Sequence, residues 1–151
     1  MRVVSNTSPL IGLSNIGKLK ILHDVFGEVV VPPAVQREFG EELPEWITVK
    51  APKNRPLVQA LLESLGDGEP EAIAIAIELN ADFLILDDLK ARKIARKLGL
   101  RVIGTAGLLL LAKKREVINE VKPLLMELVG KGFRISNEVI DVILKSAGEM
   151  D

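Results

Sequence analysis

The sequence predicts an α/β fold, a three-layer α/β/α sandwich around a central, mostly parallel sheet. Two observations carry this reading. Short β-branched runs alternate along the chain with segments of helical periodicity, and strands joined by helical crossovers pair in parallel. Apolar residues make up 48% of the 151 and charged residues 27%, the balance of a chain that buries a core. That length is enough for one packed core. With no internal repeat, low-complexity stretch or linker, residues 1–151 are expected to form one domain, with C-terminal helices over about 119–147 packing on it.

Taken in order, RVVS at Arg2–Ser5 reads as a strand. Pro9–Gly17 and Lys18–Phe26 read as tandem helices, because Leu19, Leu22 and Phe26 recur at helical spacing. EVVV, ending at Val31, is strand-like and stops at Pro32-Pro33, after which a short helix, Ala34–Phe39, follows. Ile47–Val49 is a short strand, and Leu57–Leu65 a helix ended by Gly66. The loop GDGEP opens a helix, Glu71–Leu79, that is apolar nearly all round and so is expected to be buried. FLIL at Phe83–Leu86 is a buried strand, followed by the helix Leu89–Leu98. Arg101–Ile103 is a strand, Ala106–Arg115 a helix, and helices over Asn119–Val129 and Asn137–Ala147 complete the chain.

Composition removes several function classes. The chain has no Cys, hence no disulfide framework, thiolate metal site or cysteine nucleophile. Its single His, His23, excludes a multi-histidine zinc site within one chain and weakens a Ser–His–Asp reading. No apolar run reaches membrane-spanning length and no signal-peptide layout is present, so a cytoplasmic location is expected. The net charge of −1 is mildly against nucleic-acid binding, which favours basic chains.

The polar residues of interest fall at strand ends, where parallel sheets gather ligands. Asn6 follows the first strand, Glu38 ends the short helix after Pro33, Glu69 opens the buried helix with Glu71 beside it, and Asp87-Asp88 follow FLIL. Converging carboxylates repel one another and lose hydration, which a cation relieves, and oxygen donors of this kind suit magnesium or manganese. Each residue also has a plainer role. Glu38 is a solvated helix end, Glu69 and Glu71 favour a helix N-terminus, Asp88 caps the next helix, and Asn6 sits in a turn.

VVSNTSPL at the start and GEPEAIAIAIELNADFLILDD in the middle resemble the PIN-domain nucleases, and DLKARKIARKLGLRVIGT resembles the continuation of that pattern. The likeness runs from Arg2 to about Arg115, while VKPLLMELVGKGFRISNEVI is similar to the C-terminal helices of a prokaryotic subgroup. The resemblance implies a metal-dependent endoribonuclease that hydrolyses RNA with water, of the toxin (VapC-like) type. It implies catalytic and metal-ligating roles for Asn6, Glu38, Glu69 and Asp87. Ser8, Glu71 and Asp88 are further candidates. Mg2+ or Mn2+ is the implied cofactor, with RNA, a small antitoxin protein and a second copy of the chain as partners. Two positions depart from the family pattern: Asn6 stands where an Asp is usual, removing one negative charge, and Leu86 where Ser or Thr is common. Asn6 keeps open a second reading, a catalytically weak or silent PIN-like module that binds RNA or a partner protein.

Lys90, Arg92, Lys93, Arg96 and Lys97 occupy the polar face of the helix after Asp88, either as an RNA-backbone surface or as a solvated face. Lys113-Lys114-Arg115 invites the same two readings. Gly104-Thr105 reads as a helix N-cap or a phosphate site. Phe133 and Trp46 are the only candidates for stacking on bases. The homodimer also rests on apolar residues that look exposed, Leu13, Ile16 and Leu19–Leu22.

Overall fold

Strands β1 (Val3–Ser5), β2 (Val29–Val31), β3 (Ile47–Val49), β4 (Phe83–Ile85) and β5 (Val102–Ile103) pair in the order β3-β2-β1-β4-β5 in a computed structural model that describes residues 1–66 and 68–150. Every pairing is parallel, and Val3, Val4 and Ser5 lie opposite Phe83, Leu84 and Ile85. The chain therefore winds outward from β1 to β3, then crosses back to lay β4 and β5 on the other side of β1. Strand order reverses between β1 and β4, and in parallel sheets the crevice that takes ligands lies beyond the C-terminal ends of the strands at such a point. The Asn6 N–H donates to the Ile85 carbonyl (3.0 Å) and closes the floor of that crevice.

Because successive side chains on a strand point to opposite faces, the sheet divides two cores. Val3 and Ile85 join one with α1 (Thr7–Asn15), α2 (Lys20–Phe26), α7 (Thr105–Lys114), α8 (Lys122–Gly130) and α9 (Asn137–Ser146). Val4, Leu84 and Leu86 join the other with α5 (Gly68–Glu78) and α6 (Leu89–Lys97). This is the expected three-layer sandwich. The run Ala72–Ala76 of α5 is buried on every side. Its alanines let the sheet on one side and the helices α3 (Pro33–Phe39) and α4 (Arg55–Leu62) on the other approach closely. Leu84, fully buried between layers, is worth about 2–5 kcal/mol against truncation to Ala.

The elements follow the sequence reading, with shifted starts where proline is involved. α1 begins at Thr7, before Pro9. α5 begins at Gly68, so GDGEP is partly helical. α4 begins at Arg55, before Pro56. Proline lacks an N–H that the first turn of a helix does not use, so each helix starts ahead of its proline. α8 begins at Lys122, later than Asn119. Leu13, Ile21 and Leu22 are core residues, and Ile16 and Leu19 pack against that core. The apolar surplus read as a dimer surface is spent inside the fold. No helix among the described residues is long and apolar enough to cross a membrane.

Candidate active site

The crevice is lined from four directions. Asn6 stands at the N-cap of α1 in extended backbone (φ −81°, ψ 178°), but its side chain makes no cap bond. Its Oδ1 is buried without a hydrogen-bond partner among the described residues, as is Thr7 Oγ1. A buried acceptor left unpaired costs on the order of 1–3 kcal/mol, so Asn6 is held there against its own solvation. The N-terminus of α5 presses onto it: a Cβ on Gly68 would lie 3.0 Å from Asn6 Oδ1 and collide with the Glu38 carboxylate. Glu38 arrives from the end of α3, which packs against both α1 and α5. A larger residue at Gly68 would push the exposed Glu38 carboxylate aside and crowd Asn6.

Glu69, one residue into α5, folds its Oε1 back to accept from the Gly66 N–H (3.1 Å). Burial pushes its carboxyl above the usual carboxylate range, the Gly66 N–H opposes this, and the negative charges of Asp88 and Glu38 push it further up. Glu71 lies two residues on, about 200° around the helix. It turns to α3 instead, where it is buried 3.9 Å from the exposed Arg37 guanidinium.

Asp87 has a different environment. The Thr105 N–H donates to its Oδ1 (2.7 Å). The Thr105 hydroxyl (2.8 Å) and the Ser8 hydroxyl (3.2 Å) both donate to Oδ2. The carboxylate thus sits at the N-terminus of α7, where the helix dipole favours an anion. The Gly104-Thr105 helix start holds the protein's own Asp87. Arg92 turns inward from α6 toward the same carboxylate, with Nη1 3.3 Å and Asp87 Oδ1 3.0 Å from where a Cβ of Gly104 would stand. Burial and then Arg96 weaken the Arg92 guanidinium's hold on its proton, and Asp87 acts the other way. Asp88 accepts from the Ala91 N–H (2.9 Å) and caps α6, its plainer role, yet its charge also reaches Glu69.

The structure therefore sets Asn6 and Glu38 against Gly68, lets the charges of Asp88 and Glu38 reach Glu69, and ties Asp87 to Ser8 and Thr105. Sequence reasoning missed Thr105 and Gly68 as parts of this arrangement, although Gly104-Thr105 had been marked as a helix start. Lys90, Lys93, Arg96 and Lys97 are exposed on α6, whereas Arg92 is half-buried. Of the second basic run, Lys113 pairs with Glu149 (2.9 Å), and Arg115 donates to the Val25 carbonyl (2.9 Å) and covers the Phe26 ring. Those two cations are structural. His23 stacks on Trp46 with ring centroids 5.2 Å apart, a packing role for both.

The family model for the PIN domain matches residues 2–149. The chain belongs to the PIN-domain family. Among solved structures it is similar to a PilT N-terminus domain protein from the hyperthermophilic archaeon Sulfolobus solfataricus P2. The two share 24% identity over 72% of this chain and 90% of that one, with a TM-score of 0.55, a likeness of fold. Comparison with curated proteins returns no match. PIN domains are in general metal-dependent nucleases. No three Asp, Glu or His side chains among the described residues stand close enough to hold a metal as they are set. The donors around Asn6 nonetheless fit a hard cation. All are oxygens, one is a buried acceptor with no partner, and the carboxylates around Glu69 raise its proton affinity.

Proposed function

We propose that this PIN domain is a Mg2+- or Mn2+-dependent endoribonuclease, the toxin component of a toxin–antitoxin pair, hydrolysing phosphodiester bonds of single-stranded RNA. The observation that supports it is the unpartnered Asn6 Oδ1 facing carboxylates in the crevice between β1 and β4 of a PIN chain. Asn6, Glu38 and Glu69 would hold the cation, with Asp87 or its neighbour Asp88 completing the set. When bound, such a cation lowers the pKa of a water and offsets charge on the phosphate.

The protein's own residues do the rest. Thr105 and Ser8 fix the Asp87 carboxylate, so it is oriented before substrate arrives. Glu69 Oε1 is engaged by Gly66, leaving Oε2 to take the proton of the attacking water. The water oxygen bonds to phosphorus, one ester P–O bond breaks, and the departing ribose oxygen takes up a proton. Lys90, Lys93, Arg96 and Lys97 on α6, with Arg92 beside Asp87, attract the strand's phosphates. A small antitoxin and a second copy of the chain are the partners this role calls for.

The second reading, a catalytically silent PIN-like module binding RNA or a partner protein, is favoured by the neutral Asn6 and the lack of a ready three-carboxylate cluster among the described residues. End-labelled single-stranded RNA incubated with Mg2+, Mn2+ or EDTA separates the two. Metal-dependent cleavage that Asp87→Asn abolishes supports the nuclease. RNA left intact with both metals, by the parent and by Asn6→Asp alike, replaces it with the binding module.

A further inference from the structure

Two hollows lie on either side of Phe133, the aromatic residue after α8. The larger, about 520 Å³, lies between β5, the start of α7 and α9, and Asp87, Arg92, Leu89 and Val142 are among the residues that line it. The smaller, about 250 Å³, lies between α1 and the end of α8 and is bordered by Ser8, Asn15 and Lys131. Phe133 lines both. The Ser8-to-Asp87 hydrogen bond joins them, since Ser8 belongs to one and Asp87 to the other. A half-buried ring thus stands as a partition beside the carboxylate assigned to catalysis.

We infer that Phe133 stacks on an unpaired base of the substrate strand, which lodges in the larger hollow beside Asp87; this rests on the nuclease reading. The lining is mainly apolar, as a base face requires, with a few charged and polar side chains among it. Arg92 and Arg134 border the larger hollow and Lys131 the smaller, so cations flank the ring where the phosphates on either side of a stacked base would run. Arg92, which lines the hollow, has a buried Nε with no partner among the described residues, an unused donor. Glu138, an exposed residue of the same lining, is an acceptor suited to an exocyclic amine. The ring is backed by α1: a Cβ on Gly12 would lie 2.7 Å from Phe133 Cδ2 and Cε2, so the platform is held from behind rather than free to swing. A base can enter only by leaving a duplex stack, so the substrate class is single-stranded RNA.

The test uses the full chain and a single-stranded RNA hexamer carrying 2-aminopurine, titrated in calcium and again in EDTA, with cleavage measured separately on the same preparation. Stacking predicts that 2-aminopurine fluorescence falls on binding. Phe133→Leu, which keeps an apolar side chain against Gly12, should lose that quench and about tenfold in affinity, and Phe133→Trp should restore both. Val142→Trp, on the exposed face of α9, should block the hollow and weaken binding without disturbing the core, which keeps the test open if Phe133→Leu fails to fold. Equal quench and affinity in the parent, Phe133→Leu and Val142→Trp overturn the inference, as does a hexamer that binds in neither condition. Unchanged RNA binding by Val142→Trp with an altered sedimentation mass makes the hollow an interface between copies and also overturns it. Quench lost in Phe133→Leu while no RNA is cleaved with Mg2+ or Mn2+ leaves the base site standing and removes the nuclease. Cleavage by a protein whose Phe133→Leu variant binds like the parent removes the base site alone.

Discussion

The two sides of the crevice treat their polar groups in opposite ways. On the β4–α7 side Asp87 receives three hydrogen bonds and the N-terminus of a helix. On the α3–α5 side Asn6 Oδ1 has no partner among the described residues, and the Glu69 carboxyl is pushed up by burial and by the negative charges of Asp88 and Glu38. The first side is complete as a piece of protein. The second is stable only because the surrounding core holds it, and what it lacks is positive charge. A site of this kind separates the group that must be aimed from the groups that must be neutralised.

The largest effect should come from breaking the satisfied side. Asp87→Asn should reduce cleavage by at least about a hundredfold, read as the single-turnover rate in Mn2+. It should also lower stability by about 1–2 kcal/mol in urea denaturation, because an amide N–H₂ faces donors that a carboxylate accepts. Thr105→Val comes next. It removes one donor to Asp87 from a fully buried position and should lower stability by about 2 kcal/mol and the rate by about tenfold. A rate unchanged by Thr105→Val would mean that Asp87 does not need aiming.

Asn6→Asp sharpens the other side. The added charge, close to Glu38, should lower metal-free stability by about 1 kcal/mol and raise the melting temperature gained on adding Mn2+. If the metal-dependent gain does not grow, Asn6 does not face the cation. The smallest effect is a pH slope. Glu69 titrates above its unfolded value, so the folded protein holds the extra proton between the two, and stability falls as pH rises through that window. Glu69→Gln should flatten this part of the stability–pH curve, and Mn2+ should flatten it in the parent. Glu149 runs the other way. Burial acts to raise its carboxyl, but the Val121 and Lys122 amides and Lys113 outweigh burial and hold it below the usual range. Its contribution is present above the ordinary carboxylate value and is lost as pH falls through its own lower one.

Much of this architecture was legible in the sequence because it is written in local patterns. Periodicity marked α6 and the buried α5, β-branched runs marked the strands, and the Asp88 cap of α6 follows from an acid directly before a helix. The parts that escaped are contacts between distant segments. Thr105 reaches Asp87 across 18 residues, and Gly68 meets Asn6 and Glu38 only because α3 and α5 pack together. Glu69 and Glu71 look interchangeable in a first helical turn, and only the packing of α5 decides that Glu71 turns to Arg37 while Glu69 folds back to Gly66. Arg92 looked like one more cation on a solvated stripe, but α6 lies so that it turns toward Asp87.

The pairing of β1 with β4 has a consequence for how the protein is made. Phe83–Ile85, the partner of Val3–Ser5, leaves the ribosome some 80 positions after it, and the hydroxyl that aims Asp87 later still, at Thr105. Closing a loop of that length is a slow, late event that local helices cannot hasten. Until β4 has been made, the chain carries Asn6 and Glu38 without the strand that leads to Asp87. The cleaving centre proposed for this domain stays unassembled until Thr105 has been made, so a translation product interrupted before it carries Asn6 and Glu38 but no Thr105 to aim Asp87.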